Sequence, residues 1–203
     1  MSLRVSSLHP LTEEQVSVGF DDGSEILATL GVVAELRLFV GRALEEAELS
    51  QLRSSAALAL CRNRALTLLS YRPMSCRELR EKLEQKGESP DAARDAVDWL
   101  AERGYLDDVR YAGMVVRHYA GKGYGAARVR QELYRRGIPR ELWEDALQEL
   151  PESSDRLDAF LASRLKDPGD RAQVQKLSAA LSRRGYSWDE IREALARFRV
   201  DTN

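Results

Sequence analysis

Residues 104–137 read GYLDDVRYAGMVVRHYAGKGYGAARVRQELYRRG, and this stretch decides the fold. Val109, Ala112, Gly113 and Val116 fall on one face of a first helix. Ala126, Val129 and Leu133 fall on one face of a second, and the glycine-dense turn 121–125 joins them. From Asp108 to Arg140 eight Lys/Arg stand against two acids, a local +6 in a chain whose total is −2, so the remainder carries −8. Tyr111, Tyr119, Tyr124, Tyr134 and His118 are interleaved with these cations, a pattern suited to a polyanion or an acidic protein surface.

The second of these helices is one copy of a repeat. When Gly87, Gly137 and Gly185 are aligned, the residues eleven, eight and four positions earlier are Cys76-Leu79-Leu83, Ala126-Val129-Leu133 and Val174-Leu177-Leu181. A basic residue precedes each glycine, and an Ala followed by Val or Leu comes nine and ten residues after it. Each copy has a helical segment before it: 54–69, 108–119 and 155–165. Ser75-x-x-Glu78 and Ser187-x-x-Glu190 read as capping boxes, Pro90 and Pro139 as first-turn prolines, and Gly87, Gly104, Gly137 and Gly185 as left-handed helix ends. The last helix of the middle unit is expected over Arg140–Leu150.

Ahead of the repeats, residues 15–30 alternate apolar and polar around Asp22-Gly23, which predicts a β-hairpin packed on helices or a partner. Val32–Val40 reads as a short buried helix and Glu45–Leu52 as another, with a new helix from Ser54. The fold expected is mainly α: three tandem three-helix, helix-turn-helix-like repeats in an elongated, curved array behind an N-terminal β-hairpin region. The divisions are 1–53, 54–105, 106–150 (the basic, central repeat) and 151–203. The repeat spacings of 50 and 48 residues exceed those of tetratricopeptide and ankyrin repeats.

Composition narrows the function classes. A charged share of 32% with mixed signs suits solvated helix surface. No apolar run approaches a membrane span, and the N-terminus lacks a secretory profile, so a cytoplasmic protein with no membrane contact is expected. Cys61 and Cys76 lack metal-type spacing and read as free thiols. The histidines, His9 and His118, belong to no ligand cluster, and no nucleophile–base pair can be assembled. Neither an enzyme nor a metal or cofactor is expected.

GKGYG at 121–125 lacks the phosphate-loop pattern and follows a helix where a nucleotide loop follows a strand, so it reads as a flexible basic turn open to a partner. The acidic residues of 140–150 make that helix a poor major-groove reader. Trp99, Trp143 and Trp188 read as packing residues. Dipole complementarity accounts for the Arg135-Arg136-Gly137 and Arg183-Arg184-Gly185 ends. It does not account for Arg117, Lys122, Arg128 and Arg130, for which a solvated face and a contact surface serve equally well.

The run from Trp99 to Ile138 resembles the RecX family of bacterial recombination regulators. The resemblance rests on Leu100, Gly104-Tyr105-Leu106-Asp107-Asp108, Tyr111-Ala112, Arg117, Lys122-Gly123-Tyr124-Gly125 and Leu133–Ile138 in order. Arg77-Glu78-Leu79, Leu83 and Lys86-Gly87 in the first repeat, and the spacing of the third, add to it. It covers about residues 54–198. The resemblance implies a non-enzymatic regulator that binds the RecA filament on DNA and opposes filament extension, strand exchange, ATPase and co-protease activity, modulating recombination, DNA repair and the SOS response. It also implies contact candidates at Arg117, Tyr119, Lys122, Tyr124, Arg128, Arg130, Arg135 and Arg136, which touch RecA, DNA phosphates or both. Asp107 and Asp108 match as well and are assigned structural roles. A monomer is expected, and charge reversal at Arg128 and Arg130 is expected to weaken inhibition while helicity survives. The net acidity argues against strong autonomous DNA binding. The rival readings are a direct single-stranded nucleic-acid binder and a scaffold for an acidic partner.

Overall fold

The computed structural model describes residues 2–201. Two compact units divide it: Met1–Met74 with Glu78–Leu106, and Ser75–Arg77 with Asp107–Asn203.

The first unit opens with an antiparallel sheet of order β3-β2-β1-β4. Its strands are β1 (Leu3–Pro10), β2 (Gln15–Phe20), β3 (Glu25–Thr29) and β4 (Ala43–Leu44). The expected hairpin is β2–β3: Gly19 pairs with Glu25 and Val16 with Ala28, and Gly23 takes φ +84° at the turn. The hairpin is not alone, however. β1 pairs along β2 with an irregularity between Val5 and Ser7. That irregularity and the polar Ser6-Ser7 break the alternation by which a strand is read.

The helix expected over Val32–Val40 is α1 (Leu30–Glu35), capped by Thr29 and then interrupted. Arg37 turns left-handed at φ +50°, which lets Leu38 swing into the core. The two helices read as Glu45–Leu52 and Ser54 onward are one, α2 (Glu46–Tyr71), of 26 residues. Ser54 and Ser55 interrupt nothing, because serine tolerates a helix interior when no local backbone competitor wins. A capping box at its start, Glu45 with Glu48, escaped the sequence reading because the cap is not Ser or Thr.

Leu49, Leu52 and Ala56 of α2 close the sheet core with Val5, Val18, Phe20, Ala28, Val32, Leu38 and Leu44. Further along, Cys61 and Ala65 of the same helix are buried in the first repeat. So are Leu79 and Leu83 of α3 (Cys76–Gln85) and Ala93, Ala96, Val97 and Leu100 of α4 (Pro90–Glu102). Pro90 opens α4, as expected, and Ser89 caps it. Trp99 lies against two guanidiniums, Arg62 at 4.9 Å and Arg103 at 4.2 Å from its ring centre.

The second unit carries two repeats. Helices α5 (Asp108–Gly121), α6 (Ala126–Arg135) and α7 (Trp143–Leu147) enclose Tyr111, Ala112, Val115, Val116, Val129, Leu133, Ile138 and Ala146. Val109, expected inward, is 63% exposed, and the buried stripe of α5 begins at Tyr111. The helix expected over Arg140–Leu150 is a 3-10 turn, Arg140–Leu142, followed by the short α7. The indole of Trp143 ties that junction by donating to the Ile138 carbonyl at 3.0 Å.

The third repeat comprises α8 (Ser153–Ala162), α9 (Arg171–Arg183) and α10 (Trp188–Asp201), around Leu157, Leu161, Leu165, Leu177, Leu181, Tyr186, Ile191 and Ala194. Its Ser187–Glu190 capping box is made in both directions, at 2.7 and 3.2 Å. Trp188, expected as a packing residue, is 63% exposed; it borders an apolar hollow of about 700 Å³ between α9 and α10. The three repeat glycines Gly87, Gly137 and Gly185, and Gly104 just past the end of α4, all have positive φ, as helix ends that reverse require.

Candidate functional site

The basic face of the second repeat is built from α5, α6 and the turn between them. Asp107 caps α5, its carboxylate accepting from the Arg110 amide at 2.8 Å. Asp108 accepts from the Cys76 amide at 2.9 Å, and its partial burial holds its carboxyl above the usual range against that hydrogen bond. Both aspartates are therefore structural.

The turn is not a free, flexible element. Gly123 takes φ +74°, and its carbonyl lies 3.3 Å from the Tyr186 hydroxyl and 3.5 Å from an Arg184 guanidinium nitrogen. The Gly125 amide donates to the Arg184 carbonyl at 2.9 Å and the Ala127 amide to the Gly185 carbonyl at 3.1 Å. Arg156 reaches the Ala120 carbonyl at 2.8 Å. The third repeat thus occupies the backbone that the sequence offered to a partner. Glycine is needed at 125 for space: a Cβ there would stand 2.6 Å from the Gly185 carbonyl carbon and 2.8 Å from the Tyr186 nitrogen.

The candidate cations divide by what they touch. Glu132, 2% exposed, is a hub. It accepts from Arg135 at 2.6 and 3.1 Å, pairs with Arg128 at 3.1 Å and takes a hydrogen bond from the Tyr119 hydroxyl. Burial alone would push the Glu132 carboxyl up; these donors and charges outweigh it and hold the carboxyl below its ordinary value. Arg136 donates to the Tyr111 hydroxyl at 2.7 Å and to that of Tyr119. Arg130 pairs with Glu144 at 3.2 Å, and Arg117 pairs with Glu149.

The charge count explains how these pairs were missed. Closing it at Arg140 left out Glu141, Glu144, Asp145 and Glu149; over 108–150, eight cations less six acids gives +2. Two of those four acids fold back onto the face.

The rings other than Tyr134, which is 63% exposed, are likewise engaged. Tyr119 and Tyr124 sit 5.6 Å apart, His118 meets Tyr119 edge-on at 5.2 Å, Lys122 lies 5.8 Å from the Tyr119 ring centre and Arg128 lies 5.9 Å from that of Tyr124. Tyr119 and Tyr124 are half-buried.

What faces solvent is a stripe of α5: Arg110, Met114, Arg117, His118 and Gly121, with Lys122 at its end, all exposed. Positions 110, 114, 117 and 121 share one helical face. The sequence-derived candidates on this stripe are Arg117 and Lys122. Arg110, Met114 and His118 were passed over, although Arg110 was among the eight cations counted and the i, i+4, i+7 spacing was there to be read. Arg135 and Arg130 are exposed on α6 and paired with acids, as Arg117 of the stripe is with Glu149, which leaves Arg110 and Lys122 as its cations outside those pairs; Arg128, Arg136, Tyr119 and Tyr124 are partly covered.

Among the described residues no group of three or more His, Cys, Asp or Glu is placed to hold a metal ion, and no helix is long and apolar enough to cross a membrane.

Family models for the first, second and third three-helix domains of RecX match residues 61–100, 107–147 and 159–195. Regulatory protein RecX of Vibrio vulnificus is 36% identical over 148 residues, which covers 71% of this chain and 96% of the relative. Regulatory protein RecX of Trichlorobacter lovleyi is 39% identical over 141 residues, covering 66% of this chain and 92% of the relative. Among solved structures, a regulatory protein RecX superposes with a TM-score of 0.73 over 95% of this chain and 98% of its own, at 20% identity. RecX from Lactobacillus salivarius superposes with a TM-score of 0.62 over 71% of this chain and 97% of its own, at 24% identity. At those identities the likeness establishes the fold. The matched sequences and all three domain models together place this chain in the RecX family of regulatory proteins.

Proposed function

We propose that this chain binds the RecA filament assembled on DNA and restrains it, lowering filament extension, strand exchange, ATPase and co-protease activity. It acts as a cytoplasmic monomer, without catalysis and without a cofactor. The observation that carries the reading is the solvent-facing stripe Arg110–Met114–Arg117–His118–Lys122 on α5 of the central repeat. A cationic helix face with an apolar residue at its middle suits a protein surface with acidic rims, in a chain whose net charge of −2 disfavours general attraction to DNA. The direct single-strand reading needs open aromatic faces for base stacking. Of the four tyrosines among the cations, Tyr134 is open at 63% exposure, Tyr111 is buried, and Tyr119 and Tyr124 have half-buried rings turned on each other and on neighbouring cations; that leaves no run of open rings for successive bases, which favours the filament.

The test is RecA's single-strand-DNA-dependent ATPase over a titration of this protein, repeated with DNA in excess. Inhibition well below one copy per RecA that persists in excess DNA is expected. Inhibition that disappears as DNA is raised would instead mark a competitor for DNA.

A further inference from the structure

One kind of helix joint occurs twice in this chain, and its receiving half occurs a third time with nothing in it. Twelve residues before the aligned glycines stand Ser75, Gly125 and Gln173. Ser75 directly precedes α3, and its hydroxyl donates to the Arg136 carbonyl at 2.5 Å. Gly125 caps α6, and its amide donates to the Arg184 carbonyl at 2.9 Å. The glycine after each carbonyl lets the incoming helix close in. A Cβ on Gly137 would stand 3.2 Å from the Cβ of Arg77, and one on Gly185 would stand 2.6 Å from the Cβ of Arg128. The joint therefore has three parts: a small residue before a helix, an arginine two or three positions on, and a basic-Gly helix end that receives both.

The first repeat carries the receiving part at Lys86-Gly87, just past α3, and has no repeat before it. Gly87 takes φ +91°, close to the +89° of Gly185. A Cβ on Gly87 would meet nothing within 4 Å. Lys86 and Gly87 are exposed, where Arg136, Gly137, Arg184 and Gly185 are half-buried. The Lys86 carbonyl, counterpart of the two that accept in the filled joints, accepts from the Arg64 guanidinium at 3.1 Å, and Arg64 pairs with Glu88 at 2.6 Å. Exposed Arg64 thus supplies the donor that a helix start supplies elsewhere, at the negative end of the helix dipole. A solvated arginine in that place yields to a better-placed donor at little cost.

The filled joints define the chemistry that fits the open one. A second copy of this chain does not supply it. The Ser75 and Gly125 starts are already in use, and the third is built differently. Helix α9 begins at Arg171, two residues ahead of Gln173, under the Asp170 cap. The Gln173 side chain accepts from the Lys166 and Asp167 amides at 2.9 and 3.3 Å. We infer that the Lys86–Gly87 end of α3 is an open copy of the joint. It receives the start of a helix on the protein component of the RecA filament, one capped by Gly or Ser with an arginine two or three positions on. This inference rests on the filament reading above.

The test uses the full chain and RecA filaments preassembled on single-stranded DNA, with affinity read by co-sedimentation, and naked single-stranded DNA as a parallel arm. Gly87→Asn fills the space that the incoming helix needs, and asparagine tolerates the left-handed backbone. Gly104→Asn is its control: Gly104 has φ +73°, a Cβ there meets nothing within 4 Å, and no joint uses it. Gly87→Asn is expected to weaken filament binding at least tenfold at the melting temperature of Gly104→Asn, which is expected to bind as wild type does. In the wild-type protein, acetylation of the exposed Lys86 amine is expected to slow severalfold on the filament. Should Gly87→Asn lose its fold, that acetylation rate decides in its place, and an unchanged rate overturns the proposal.

Filament binding by Gly87→Asn equal to that of Gly104→Asn overturns the proposal while leaving the filament reading intact; Gly87 then serves only to end α3. An equal loss on naked DNA overturns it in favour of a nucleic-acid contact. Concentration-dependent self-association of the wild type that Gly87→Asn abolishes overturns it in favour of a second copy. Wild-type protein that fails to bind filaments at all defeats the filament reading, and this proposal with it.

Discussion

The Gly125 amide of the second repeat donates to the Arg184 carbonyl of the third at 2.9 Å, and no side chain stands between the two backbones. The residue with the same offset in the first copy, Ser75, sends its hydroxyl to the Arg136 carbonyl at 2.5 Å. One helix start meeting the basic-Gly end of the next copy's middle helix is thus used twice. The two uses differ in closeness: a hydroxyl bridges one, and the other brings main chain onto main chain.

That closeness makes Gly125 and Gly121 an informative pair. Gly125→Ala puts a methyl against the Gly185 and Tyr186 backbone. A destabilisation of about 1–3 kcal/mol, as for other overpacked sites, is expected in denaturant unfolding. Gly121→Ala meets open space at the end of α5 and is expected to be neutral or to stabilise by up to ~1 kcal/mol. Equal effects from both substitutions would mean that the junction is looser than described.

Glu132 makes stability pH-dependent. Its carboxyl is held below the ordinary 4.5 in the folded chain. Its stabilising contribution is therefore complete above the unfolded-state value and is lost as pH falls through the folded one. Glu132→Gln is expected to cost about 1–3 kcal/mol at pH 7, since Arg128, Arg135 and Tyr119 lose a charged acceptor. As pH falls below the unfolded-state value and through the lower folded one, the variant and wild type are expected to converge, because the protonated carboxyl offers little more than the amide. Denaturant midpoints at pH 7, 5 and 3 check both the size and the sign.

The division of the cations predicts two kinds of variant. Arg110→Glu with Lys122→Glu, on the exposed stripe, is expected to raise the half-inhibitory concentration on RecA ATPase about tenfold, equivalent to ~1.4 kcal/mol, without changing the melting temperature. Arg128→Glu, facing buried Glu132, is expected to lower stability by about 1–3 kcal/mol before any effect on function can be read. Reversal at Arg128 and Arg130 is therefore a weaker probe of the surface than the sequence implied.

Cys61 is fully buried, its thiol donates to the Ala92 carbonyl at 3.4 Å, and burial pushes its pKa up to about 11. At pH 8 a disulfide reagent is expected to leave Cys61 unmodified in the folded protein and to label it fully in denaturant. Rapid modification under native conditions, followed by mass mapping, would contradict this burial.

The repeats were legible because their signals are local. Three apolar residues at offsets of eleven, eight and four before a glycine define a helix face and its end with no tertiary information. Leu79 and Leu83, Val129 and Leu133, and Leu177 and Leu181 are all buried as that pattern requires. What escaped depended on distant pairing. β1 is a strand because β2 and β4 lie on either side of it, not because LRVSSLHP alternates. The basic face looked strongly charged because Glu144 and Glu149 lie beyond the stretch counted, and only folding returns them to Arg130 and Arg117. Glu132 reads in the sequence as a minor debit against its neighbours, and its role as their common acceptor follows from burial that a charge count does not register.

Because α2 runs 26 residues without a break, from the sheet core at Leu49 and Leu52 to the first repeat at Cys61 and Ala65, no hinge lies between them. A helix of that length spans about 39 Å as a stiff rod. A load applied at the sheet therefore arrives in the first repeat as torque on a lever arm, where a flexible tether would let it dissipate.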